Sequence, residues 1–176
     1  MASFRTAQRG ALMLRGEVID HFAQVERAIS AILVHAAALP EYAALRPVFP
    51  HLMGQKLERL RKLMSEPGPL GSRANEVIPL IDKLAPFEDL RHFMAHATAE
   101  VALKQDGEPI YVFRMICVPS EDTAESTLTL TRQEVQSRSA RLAASAKDLA
   151  LKLETIMEGM PSGPKHRVDV KRNPRV

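Results

Sequence analysis

Arg91-His92-Phe93-Met94-Ala95-His96 sets one guanidinium and two imidazoles within six residues. A guanidinium keeps its charge at all physiological pH values and forks onto phosphate oxygens, while an imidazole takes up and releases protons near neutrality. Side by side, these groups grip a phosphodiester and move a proton on or off a neighbouring oxygen. Whether they act together depends on the element that carries them.

That element reads as a helix. Leu90 and Met94 are four residues apart, and the segment from Phe87 to about Thr98 has no breaker within it. Successive helical residues turn by about 100°, so His92 and His96 project roughly 40° apart and share a face. Arg91 projects about 140° round the axis from His96. One copy therefore aims its Arg and its distal His poorly at a single atom. Two copies about a two-fold axis can pool an Arg and a His from each chain in one cleft.

The supporting elements follow from periodicity and punctuation. Val18, Phe22, Val25, Ile29 and Ile32 recur at spacings of four and three, which predicts one long amphipathic helix over Phe4 to Leu39, stopped by Pro40. A link through Pro47 and Pro50 leads to a second helix over His51 to Ser65, with Met53, Leu57, Leu60 and Met64 on one stripe. Pro67-Gly68-Pro69 ends it. A third starts near Ser72, carries Val77, Ile81 and Leu84, and meets Pro86, where a kink or restart is expected because proline suits a first helical turn.

Beyond the motif the period changes from helix to strand. Residues 100–104 and 109–118 read as a hairpin around Asp106-Gly107, and residues 126–130 as a third strand, giving a small antiparallel meander over 100–131. Thr131-Arg132-Gln133-Glu134 has the form of a capping box. It opens a last helix whose seam of Val135, Ser139, Leu142, Ala146, Leu149, Leu153 and Ile156 favours antiparallel packing on another helix, and Gly159 closes it. The expected fold is thus mainly α: a bundle of four to five helices with a small antiparallel sheet inserted before the last one. Residues 1–160 form one domain in this reading.

Composition narrows the possible functions. The chain has no Trp and 5% aromatic residues, too little for a platform that stacks bases. The net charge of +3 is concentrated at one end, since Lys165, Arg167, Lys171, Arg172 and Arg175 against Asp169 give the last twelve residues +4 and leave the rest at −1. Residues 161–176 are expected to be a basic disordered tail. A single cysteine, Cys117, rules out a disulfide framework within one chain and fits a reducing cytoplasm. No secretory leader pattern and no apolar run of roughly 18 residues is present, so neither export nor membrane insertion is expected.

With this layout, Arg91 to His96 resembles the R-polar-x-x-x-H motif of HEPN domains, whose second position is commonly Asn, Asp or His. Phe87-Glu88-Asp89-Leu90 and Ala95-His96-Ala97 resemble the same family, as does the order of helices over residues 10 to 160. The resemblance implies a HEPN-like helical bundle that forms a homodimer. In many members it also implies a metal-independent endoribonuclease in toxin, defence or RNA-processing settings. Arg91 and His96 would then be the catalytic pair and His92 their polar helper, with RNA or a nucleotide as ligand, an antitoxin as a partner, and no cofactor.

The same residues admit plainer readings. Arg91 can close an ion pair with Glu88 or Asp89 on the surface, and His96 can lie half-buried between small neighbours. His92 and His96 at i and i+4 can also hold a metal, although no third ligand and no Glu at the second motif position accompany them. Beyond the endoribonuclease, the alternatives are a non-catalytic RNA- or nucleotide-binding module and a structural, partner-binding bundle.

Overall fold

The stripe that predicts the first helix is also what buries it. In a computed structural model, which describes residues 2–45, 50–117 and 124–160, helix α1 runs over Ala2–Ala37. It buries Leu14, Val18, Phe22, Val25, Ile29 and Ile32 along one side. The Pro47 link and the basic segment from 161 onward lie outside the described residues. A 3₁₀ turn over Pro40–Leu45 follows α1, and the Tyr42 hydroxyl accepts a 2.8 Å hydrogen bond from the Leu70 amide, tying this link to the loop after the next helix.

Helix α2 covers Met53–Ser65 and α3 covers Ala74–Leu84. Met53, Leu57, Leu60 and Met64 of α2 are buried, as are Val77, Ile81 and Leu84 of α3. Pro86 falls in a 3₁₀ turn, Ala85–Phe87, and helix α4 restarts directly behind it as Glu88–His96. Phe87 is buried at this joint, with the Arg141 guanidinium 5.7 Å over its ring. Leu90 and Met94 press α4 onto the core.

Strands β1 (Thr98–Leu103), β2 (Pro109–Cys117) and β3 (Ala124–Thr131) form one antiparallel sheet in the order β1-β2-β3. Ala102 faces Ile110 across the first pair, and Phe113 faces Leu128 across the second. Gly107 supplies the positive φ of 82° in the hairpin turn, where the Asp106 carboxylate accepts the Glu108 amide at 2.9 Å. Alternation along β2 sends Tyr111, Phe113 and Met115 to the core and Arg114 outward, between Glu100 and Glu125.

Helix α5 spans Arg132–Glu158 and opens on the expected capping box. The Glu134 carboxylate accepts the Thr131 amide at 2.8 Å, and the Thr131 hydroxyl accepts the Glu134 amide at 3.3 Å. These bonds to Thr131 hold the Glu134 carboxyl below its ordinary value of 4.5. A depressed folded-state pKa contributes stability above the unfolded value and loses it as pH falls through the folded one. Glu134→Gln is therefore expected to melt lower than the wild type at neutral pH, with the gap narrowing below pH 4.5; a gap independent of pH would refute this role.

Among the described residues the molecule has five α-helices and one three-stranded sheet, with the sheet between the motif helix and the last helix, as the sequence predicts. Two details differ. Helix α4 ends at His96 instead of continuing to Thr98, because Ala97 turns extended (ψ 150°) and the chain enters β1 at once. The α5 seam does pack antiparallel on a helix, α3, with Arg141 over Phe87 and Lys152 on Glu76, but it packs on α1 as well, and α1 and α5 run in the same direction. Gly10 of α1 lies against Tyr111, whose β3 neighbour Leu130 stands two residues before Arg132 at the start of α5; seven residues beyond Arg132, Ser139 bonds Glu17, seven residues beyond Gly10, at 2.8 Å. The intervening sheet returns the chain to the start of α1, which a short helical hairpin would not do.

Candidate functional site

Helix α4 carries the whole motif. The core side of α4 is Leu90 and Met94, 4% and 1% exposed, so His92 and His96 on the opposite side face solvent. Their ring centroids are 4.9 Å apart with the planes tilted by 58°. The shared face inferred from spacing is therefore a pair of neighbouring imidazoles. Arg91 is half-buried on the flank of the helix. Within one chain the two histidines are brought together, while helical geometry turns Arg91 about 140° from His96.

The plain reading of Arg91 as half of an ion pair does not hold among the described residues, where its guanidinium has no hydrogen-bond or ion-pair partner. Glu88 is turned instead toward the first turn of α2, where its Oε2 lies 3.2 Å from the point a Cβ on Gly54 would occupy. A carboxylate is favoured at a helix N-terminus, so Glu88 has a role away from the motif. His96 is exposed, not half-buried, because it closes the helix and its successor Ala97 takes the buried position. Among the described residues no three His, Cys, Asp or Glu side chains gather as a metal-holding group.

The C-terminal end of α4 is held by a residue outside the motif. Arg15 of α1 donates from its guanidinium to the Ala97 carbonyl at 2.5 Å, reaching across 82 positions of sequence. A cation at this end complements the partial negative charge of the last helical carbonyls. Its signal in the sequence is faint: Arg15 stands four residues after Ala11 and three before Val18, a charged residue at core spacing. Arg15→Leu keeps the aliphatic stem and leaves the Ala97 carbonyl without its donor. We expect a loss of about 1.5–3 kcal/mol in chemical denaturation, the usual range for a hydrogen bond to a charged group. Faster amide exchange in the last turn of α4 should accompany it; unchanged stability and exchange would remove Arg15 from this role.

Beside this anchor α1 presents apolar side chains to solvent. Leu12 is 64% exposed and Ile19 36%. By helical geometry they project about 60° and 40° round α1 from Arg15, on the side turning away from the core. An exposed apolar strip thus runs next to the end of α4 that carries His96. No helix among the described residues is long and apolar enough to cross a membrane.

Comparison of the chain with protein-family models, with curated proteins and with solved structures finds no match. The site's chemistry therefore rests on its own geometry.

Proposed function

We propose that this protein is a metal-independent endoribonuclease of HEPN type that acts as a homodimer, with the two α4 helices sharing one cleft. The observation that carries the reading is the solvent-facing His92–His96 pair beside an Arg91 that has no partner among the described residues. A surface cation with no local acceptor is available to a phosphate, and the exposed Leu12 and Ile19 beside the same helix end offer an apolar surface for a second copy. The second chain brings an Arg91 to the histidines that a single chain keeps apart.

In this mechanism one imidazole takes the proton of a ribose 2′-hydroxyl as its oxygen attacks phosphorus. Arg91 neutralises the charge growing on the phosphate, and a second imidazole protonates the leaving 5′-oxygen as the P–O5′ bond breaks. The products are a 2′,3′-cyclic phosphate and a free 5′-hydroxyl. DNA lacks the nucleophile and is not cut. Such an activity suits a cytoplasmic toxin restrained by an antitoxin, or an RNA-processing enzyme.

The test is cleavage of single-stranded RNA in EDTA by purified wild type and by His96→Ala, with the new ends identified. Equal cleavage by both proteins sinks the reading. RNA binding that survives His96→Ala and falls with Arg91→Gln, with no cleavage in either, would favour a non-catalytic RNA-binding module.

A further inference from the structure

A groove of about 740 Å³ lies on another part of the molecule, between the first half of α1, the start of α5 and strand β2. That volume is within the range of small-molecule sites. Its walls are aliphatic, with Met13 and Leu14 from α1 and Val135 and Ala140 from α5. Val135 and Ser139 lead the α5 seam, yet both are only half-buried, because here they line the groove instead of joining the core.

Three of the polar side chains on its lining, Tyr111, Arg9 and Arg132, have no partner among the described residues. Tyr111 is 4% exposed, but among the described residues its hydroxyl makes no hydrogen bond. That hydroxyl lies 3.0 Å from where a Cβ on Gly10 would stand, so glycine at position 10 leaves room for the phenol tip at the groove floor. The ring is in the core while the oxygen keeps access to the groove, since Arg15 Nε is the one fully buried side-chain nitrogen or oxygen without a partner among the described residues, and phenylalanine would fill the same core space. The fold therefore gives no reason for the oxygen. Arg9 and Arg132 line the groove as well, both exposed and both without a partner among the described residues. Glu17 is the one carboxylate on the lining, and the Ser139 hydroxyl already engages it at 2.8 Å, seven residues along α1 from Gly10.

We propose that this groove binds a small organic anion, a carboxylate or phosphate head on an apolar body, with Arg9, Arg132 and the Tyr111 hydroxyl as donors to the head. Two guanidiniums and a phenol make a donor set for an anionic group, and the aliphatic walls take the rest of the molecule. The Glu17 end repels the head and orients the ligand with its anion toward Arg9 and Arg132. Nothing in this assignment depends on the ribonuclease reading.

The fluorescent amphipathic anion 8-anilinonaphthalene-1-sulfonate is the probe, with octanoate and octyl phosphate as competitors at constant ionic strength. Saturable binding displaced by one or both competitors is expected; the stronger one identifies the head group, while inorganic phosphate alone displaces little. Arg9→Gln and Arg132→Gln should each weaken binding about tenfold, the usual weight of one charge-assisted hydrogen bond. Tyr111→Phe should weaken it about threefold while melting at or above the wild-type temperature, a combination that a merely structural tyrosine would not give. Lys147→Gln, exposed on α5 outside the groove, should change neither quantity. Absence of saturable binding, or equal affinity in the wild type and the Arg and Tyr variants, overturns the proposal.

Discussion

His96→Ala is expected to lower RNA cleavage by about 10²–10⁴-fold, the range in which a positioned proton-transfer group contributes. Arg91→Gln should fall as far, because an uncompensated charge on the phosphate is penalised in a site closed by two chains. The sharper result comes from mixing the two inactive proteins. About half of the dimers that re-form are mixed, and each keeps one intact Arg91 and one intact His96 on different chains. If catalysis joins groups across the interface, the mixture should recover about a quarter of wild-type activity, since each mixed dimer holds one of two functional pairs. If each chain used its own Arg91 and His96, mixing would restore nothing. The second outcome would also contradict the geometry of α4, in which Arg91 and His96 diverge by about 140°.

How much of this was legible in the sequence depends on the range of the interaction. The α1 stripe, the restart at Pro86, the Asp106-Gly107 turn and the Thr131–Glu134 box are set by residues within about one turn of each other, and all are found where the pattern puts them. The His92–His96 pair is local in the same sense. The exact end of α4 was not legible, because Ala97 and Thr98 are compatible with another half-turn of helix until β1 pairs with β2. Pro79 stands within α3, where local rules would break the helix, and burial of Val77, Ile81 and Leu84 overrides it. Long-range contacts left the faintest traces. Arg15 is 82 positions from the carbonyl it holds, and Gly10 meets Tyr111 only because the sheet brings β2 under α1. A charged residue at core spacing and a glycine inside a long helix were the signals, and neither names its partner.

The second large effect links the motif to the core that supports it. Met94 is 1% exposed and belongs to the cluster that includes Leu90 and the buried side of α1. Met94→Ala removes the side chain that seats the last turn of α4, and a buried Met-to-Ala change costs about 2–5 kcal/mol, with the spread set by how far the cavity collapses. In urea the midpoint should fall by roughly 1–3 M with an unchanged slope, since the surface exposed on unfolding is nearly the same. Met94→Leu conserves volume and should cost less than about 1.5 kcal/mol. A midpoint shift near zero for Met94→Ala would mean that α4 is seated by other contacts. The same variant also probes the site, because Met94 projects about 160° round the helix from both His92 and His96 and touches neither imidazole's solvent face. Any loss of cleavage in Met94→Ala beyond its unfolded fraction therefore measures how strongly the Arg–His geometry depends on the tilt of α4, and Arg15→Leu, which frees the other end of that turn, should lower it in the same direction.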